Sequence, residues 1–216
     1  LCLGACVAFV MLAYPVFWAD PREFFVAIQY MGHHPMASMG VCSLVYGACL
    51  PIAGASPLYL PAWLSVKLPL AIIAGILLLP FMLRKMAKSS TAEDWKAGHR
   101  ALAFAFILAT FLTALLIPVL LIVRRAILYH DLRHVLFLLP LFYLCGVVGL
   151  YWLSRRLAVI LLTIAIVTFS ADNILSFPYQ YIWFNEAARL GKIDGNFDTD
   201  YWGSAAENAY ARLLRY

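Results

Sequence analysis

The sequence has little charge for its length. Of its 216 residues only 12% are charged, whereas a typical soluble domain carries about 25%.

The first charged side chain is Asp20, and the chain does not begin with methionine. No basic segment therefore precedes the first apolar stretch, as it would in a secretory signal. We expect Leu1 to lie inside a membrane span of a longer protein.

The five cysteines form no CxxC pair and no zinc-ligand spacing. The formal net charge is +5, but the basic residues stand in short clusters between long uncharged stretches. That pattern is typical of membrane proteins and does not indicate a nucleic-acid partner.

Apolar residues make up 64% of the chain, too many for a soluble fold or a disordered chain. A helix of about 20 residues spans the hydrocarbon core. Five segments approach or exceed that length: residues 1–17, 57–83, 101–123, 135–153 and 157–175. We therefore predict an all-α integral membrane protein with about five transmembrane helices. Residues 1–175 are the predicted transmembrane region, and residues 176–216 begin a soluble outer domain.

The segment after the first span predicts a short helix in the membrane interface. Asp20 supplies an N-cap, Pro21 the first helical position and Glu23 a side chain that can reach back to the cap. Gly32 ends the helix.

The uncharged run of residues 24–66, which includes most of this helix, is not one continuous helix. Because unpaired backbone cannot face lipid, this run, with His34, is expected to contact protein or line a wet cavity.

The basic residues favour one orientation in the membrane. The predicted cytoplasmic loops hold seven of them: Arg84, Lys85, Lys88, Lys96, Arg100, Arg155 and Arg156. The opposite loops, up to residue 134, hold five: Arg22, Lys67, Arg124, Arg125 and Arg133. The difference is small, because three of these arginines lie in one short outer loop. This orientation places the tail from residue 176 outside.

That outer loop, residues 124–134 (RRAILYHDLRH), is named the arginine loop below. Its arginines offer planar, bidentate donors suited to phosphate oxygens. The alternative is that they anchor the helix ends to lipid headgroups. Asp131 could hold one arginine in place or contact a polar substrate.

Two further interpretations concern histidine and lysine. His130 and His134 have the i, i+4 spacing of two metal ligands on one helical face, but no third ligand accompanies them and we predict no metal site. Lys67 could line a substrate cavity or extend to the outer interface, and the second interpretation is favoured slightly.

Cys42 and Cys49 share an outer loop in which a disulfide is permitted but not required.

Three stretches together resemble bacterial polytopic glycosyltransferases. The first comprises YPVFWADP at 14–21, HP at 34–35, YG at 46–47 and LPAWL at 60–64. The second is YHDLRHVLFLLP at 129–140. The third is PYQYIWFNE at 178–186 with FDTDYWG at 197–203. Their order and spacing are similar to those of proteins related to dolichyl-phosphate-mannose–protein mannosyltransferases and to the lipid A aminoarabinose transferase.

The resemblance implies the C-terminal membrane half of a GT-C fold enzyme in the bacterial inner membrane. Such an enzyme transfers a sugar from a polyprenyl-phosphate donor to a periplasmic acceptor and needs no cofactor. Its catalytic aspartate is expected before Leu1, so residues 1–216 alone should be inactive. Candidate donor-phosphate ligands are Arg133, Arg124, Arg125 and His134. Candidate substrate-lining residues are Asp131, His34 and Lys67.

Other classes of function are also compatible with parts of the pattern. A transporter or lipid flippase with a basic headgroup site would explain the arginines, but it should show inverted repeats and charged residues at the membrane midplane. The sequence shows neither. A membrane scaffold would leave the outer arginines unexplained.

Overall fold

The computed structural model describes residues 42–52, 56–89 and 98–200. It also describes isolated positions before and after them: 4, 19, 20, 22, 23, 25, 26, 29, 40 and 203. Two compact units are present, Leu1–Val41 and Cys42–Tyr216. In the first unit, residues 22, 23, 25, 26 and 29 are helical. Asp20 Oδ1 accepts a hydrogen bond from the backbone N–H of Arg22 at 2.8 Å, as expected for a helix cap.

The second unit is mostly helical. It starts with an antiparallel hairpin, β1 (Cys42–Val45) and β2 (Ala48–Pro51), in which Cys42 pairs with Pro51. The α-helices are α1 (Tyr59–Lys67), α2 (Leu70–Ser89), α3 (His99–Val123), α4 (Leu139–Leu153), α5 (Arg155–Leu175) and α6 (Glu186–Leu190). Two 3₁₀ helices, Arg133–Leu138 and Gln180–Ile182, precede α4 and α6 respectively.

Four helical segments of the described chain are long and apolar enough to cross a membrane: Leu70–Lys88, Arg100–Val123, Arg133–Leu153 and Arg155–Leu175. Three of them match predicted spans. The predicted span 57–83 is wrong in its bounds, because the chain breaks at Leu68 into α1 and α2. Pro69 explains the break: the residue before a proline is forced out of helical geometry, and Leu68 is extended with ψ 137°. The predicted span 1–17 lies outside the described residues except for Gly4.

Helices α2 and α4 approach each other at their glycines. A Cβ built on Gly75 would collide with the backbone of Gly146, and one on Gly149 with the carbonyl oxygen of Gly75. Farther along both helices, Lys85 Nζ lies 5.8 Å from the ring centroid of Trp152. The two helices therefore run in the same direction with their backbones in contact, as small residues allow in membrane helix pairs.

Helix α3, which lies between α2 and α4 in the sequence, runs in the opposite direction beside them. Its first half contacts a core cluster around Leu79 and Cys145, and its second half contacts a larger cluster around Trp63 and Phe142. The helix group thus has two ends. The turn end carries Ser154, which connects α4 to α5; the loop end carries the arginine loop, which connects α3 to α4.

The tail after α5 packs against the same core as α1. Phe184 and Phe197 are buried in the larger cluster with Trp63. Asn185, fully buried, donates from Nδ2 to the carbonyls of Ser65 and Leu68 at 2.7 and 2.8 Å. These carbonyls end α1 and have no partner within the helix. The tail up to residue 200 therefore completes the loop end. A separate domain from residue 176 stays a prediction.

Candidate functional site

The arginine loop is not helical over most of its length. Arg125, His130 and Asp131 have positive φ angles of 51°, 54° and 68°. Such angles are uncommon outside glycine and cost about 1–3 kcal/mol each, so surrounding contacts have to hold them. His130 and His134 therefore do not share a helical face, and the i, i+4 interpretation of their spacing is wrong. Among the described residues, no group of three potential metal ligands is present.

Instead, the two imidazoles flank one aromatic ring. The ring centroids of His130 and His134 lie 4.8 and 4.6 Å from that of Tyr129. Burial is the main cause that lowers the pKa of His130, and Arg133 lowers it further, while Asp198 partly opposes both. Burial and Arg133 thus both favour the neutral form of this imidazole.

The contacts that hold the loop converge on Asp131. Its Oδ2 lies 2.6 Å from Lys67 Nζ, and the two side chains are 9% and 10% exposed. Asp131 Oδ1 accepts a hydrogen bond from the backbone N–H of Leu132 at 2.6 Å. The hydroxyl of Tyr59 donates to the carbonyl oxygen of Asp131 at 3.1 Å. Asp131 thus joins the loop to α1 through both its side chain and its backbone.

Lys67 lies at the centre of this junction. Its Nζ also donates to the carbonyl oxygen of Tyr181 at 3.0 Å and lies 4.4 Å from the ring centroid of Phe184. The favoured expectation that Lys67 extends to the outer interface is therefore wrong: the ammonium group is held between α1, the loop and the tail. The proposed substrate-lining role of Lys67 and Asp131 stays a prediction.

Burial acts against both charges of this pair. Burial lowers the pKa of Lys67, and the nearby carboxylate of Asp131 raises that pKa again. Burial raises the pKa of Asp131, and Lys67 and the Leu132 N–H lower that pKa again. Each charge is accommodated only because the other is in contact with it. Burial also raises the pKa of Tyr59, so its hydroxyl stays a donor.

The arginines have a different environment from the carboxylate. Arg124 and Arg125 are exposed, and neither forms an ion pair with any residue that the structure describes. Arg133 is half-buried; its Nη2 donates to the Tyr129 hydroxyl at 3.3 Å, and its guanidinium carbon lies 5.2 Å from that ring's centroid. The carboxylate of the loop points inward to Lys67, while the exposed arginines remain at the surface. His134 is exposed as well.

Two residues of the sequence analysis precede the second compact unit in the chain. His34 lies outside the described residues. Arg22, at a described helical position, belongs to the first compact unit.

Sequence reasoning missed the β-hairpin that borders the site. Cys42 and Cys49 form a disulfide across it, with Cα atoms 5.4 Å apart. Asp198 Oδ2 accepts hydrogen bonds from Ser43 Oγ at 2.6 Å and from the Leu44 N–H at 3.1 Å. Asp198 influences the pKa of Tyr59, Asp131 and His130, so the hairpin, the tail and the loop meet at one place. The position of Cys42 and Cys49 on either side of Tyr46-Gly47 was the available signal.

The comparisons with known proteins give no relative. No protein-family model, no curated protein and no solved structure matches this chain.

Proposed function

We propose that this chain belongs to a membrane glycosyltransferase that takes a sugar from a polyprenyl-phosphate donor and transfers it to a periplasmic acceptor. The observation that carries the proposal is the arrangement of charge in the arginine loop. Arg124 and Arg125 are exposed where two membrane-length helices meet, and the neighbouring carboxylate of Asp131 is occupied by Lys67. The loop therefore presents net positive charge at the end of two candidate spans.

A polyprenyl-phosphate sugar fits such a place. Its hydrocarbon chain lies in the bilayer, so its phosphate lies at the membrane boundary, where the spans end. Guanidinium groups bind phosphate oxygens through two parallel hydrogen bonds. Arg133, oriented by Tyr129, and the pair Arg124 and Arg125 are the proposed ligands of the phosphate, with His134 beside them.

The arginines would contribute to the chemical step as well as to binding. During transfer, the bond between the anomeric carbon and the donor phosphate oxygen breaks. A new bond forms to the acceptor oxygen, whose proton passes to a base, and negative charge grows on the departing polyprenyl phosphate. Cations placed where that charge develops lower the barrier. We assign no described residue to the base.

Two independent observations support an outer location for the loop end. Of the twelve basic residues up to residue 156, seven belong to the predicted cytoplasmic loops and five to the opposite loops. The disulfide Cys42–Cys49 lies at the loop end, and disulfides persist in oxidising compartments such as the periplasm. We therefore propose a multi-pass protein of the bacterial inner membrane with its tail in the periplasm.

This orientation predicts opposite accessibility for two introduced cysteines. Cys2, Cys6 and Cys145 are replaced by serine or alanine, and the disulfide pair is kept because it does not react. An impermeant thiol reagent in intact cells should then label Asp198→Cys and leave Ser89→Cys unlabelled. Labelling of position 89 with protection of position 198 would reverse the orientation.

The arginine assignment is tested by transfer assays on the full-length protein. Arg133→Ala and the double variant Arg124→Ala/Arg125→Ala each remove charge-assisted hydrogen bonds worth about 1.5–3 kcal/mol. We expect transfer efficiency to fall by roughly tenfold to a hundredfold in each. Lysine at position 133 should restore activity only in part, since it lacks the planar fork.

Arg100→Ala is the matched control, because this exposed arginine lies at the turn end, and its loss should leave transfer unchanged. If the loop variants reach the membrane normally and transfer at full rate, the arginines are headgroup anchors. If the wild-type protein binds the lipid donor and moves it across the bilayer without transferring sugar, it is a flippase.

A further inference from the structure

The turn end carries a second basic site, a shallow and largely open groove. It has a volume of about 370 Å³ and is lined by Phe81, Arg84, Lys85 and Lys88. The four residues have i, i+3, i+4 and i+7 spacing, so they share one face of α2. No acidic side chain of the described chain lines it.

The groove changes from apolar to cationic along the helix axis. Phe81, which is 67% exposed, lies inside the membrane-length segment Leu70–Lys88. Lys88 is the last residue of that segment. Arg84 and Lys85 lie between them. Lys85 Nζ is 5.8 Å from the Trp152 ring centroid, which places its ammonium group at the contact between α2 and α4.

We propose that this groove binds the headgroup of an anionic phospholipid, with the upper part of an acyl chain against Phe81. The chemistry of the lining favours this occupant over others. A phosphodiester at the membrane boundary meets three cations, while the neighbouring acyl chain meets an exposed aromatic ring in the hydrocarbon layer. A zwitterionic lipid brings an ammonium group that these cations would repel. Clusters of basic residues next to the end of a membrane helix attract acidic headgroups.

The site is separate from the arginine loop and does not depend on glycosyl transfer. The groove and the arginine loop lie at opposite ends of the helix group α2, α3 and α4, so one lipid headgroup cannot contact both sites. In the proposed orientation, the groove faces the cytoplasmic leaflet, whose anionic lipids attract basic segments next to the membrane.

Lipid retention by the purified full-length protein tests the proposal. The protein is equilibrated in micelles that contain equal amounts of phosphatidylglycerol and phosphatidylcholine, and bound lipids are counted by native mass spectrometry. We expect wild type to retain phosphatidylglycerol preferentially. Each of Arg84→Gln, Lys85→Gln and Lys88→Gln should weaken that preference about fivefold, and the triple variant about a hundredfold.

Arg100→Gln is the control, since it removes the same charge at the same end but outside the groove. Phe81→Ala should reduce retention of the lipid while keeping the preference for the anionic headgroup, and this variant stays informative if the triple variant does not fold. Inorganic phosphate at millimolar concentration should not displace the lipid. The proposal is overturned if phosphate displaces it, if Arg100→Gln has the same effect as the groove variants, or if the groove variants retain lipid as wild type does.

Discussion

Replacing Lys67 by methionine is expected to lower the free energy of unfolding by about 3–5 kcal/mol, because it leaves the carboxylate of Asp131 buried without its cation. Asp131→Leu should cost a similar amount for the converse reason. Both variants also release the arginine loop, whose positive φ angles at His130 and Asp131 depend on contacts around this pair.

The double variant Lys67→Met/Asp131→Leu distinguishes the pair from the packing around it. Because it removes both charges and keeps apolar volume, it should recover most of the stability lost by either single variant. Unfolding midpoints in detergent, by chemical denaturation, provide the measurement. Lys192→Met removes an exposed lysine and should stay within about 0.5 kcal/mol of wild type. A double variant no more stable than the single ones would show that the ion pair does not hold this junction.

The contact of the arginine loop with α1 through Asp131 and Lys67 also has a functional consequence. The double variant is expected to fold with an arginine loop that lacks its inward tether to α1. If Asp131 serves to place the arginines, donor binding should weaken in the folded double variant. Unchanged donor binding would restrict Lys67 and Asp131 to a role in stability.

A second large effect is expected at the contact between α2 and α4. Gly149→Val places a branched side chain against the carbonyl oxygen of Gly75, and Gly75→Val meets the backbone of Gly146. Overpacking typically costs about 1–3 kcal/mol. Here the obstacle is backbone rather than a flexible side chain, so the cost should reach or exceed the upper value, and the helices must separate.

Detergent extraction followed by size-exclusion chromatography measures this effect as the fraction of monodisperse protein. Gly149→Ala gives a graded comparison, since its single methyl group already collides with Gly75. Ala109→Val adds apolar volume to an exposed position of α3 and should behave as wild type. Normal recovery and stability of both Gly149 variants would mean that the two helices do not approach as closely as described.

The sequence by itself determined the membrane character of this protein. Apolar stretches of 19 residues or more decide that a segment prefers the bilayer, and this property is local to the segment. Three described spans therefore follow the prediction closely. The break at Pro69 was missed by the predicted span 57–83, although it follows from a rule that involves only Leu68 and its neighbour. The accumulation of arginines at residues 124–133 was also visible without coordinates.

Only the tertiary structure decided which residues meet at the loop end. Lys67 and Asp131 are 64 positions apart, and Asn185 lies 117 positions from the Leu68 carbonyl it satisfies. No local pattern indicates such pairings, because they depend on how the helices and the tail are arranged. The sequence alone favours an exposed side chain for Lys67, whereas the structure shows its ammonium group in contact with Asp131, Tyr181 and Phe184. Burial then makes each charge require the other, and this requirement turns the carboxylate inward and leaves Arg124 and Arg125 at the surface.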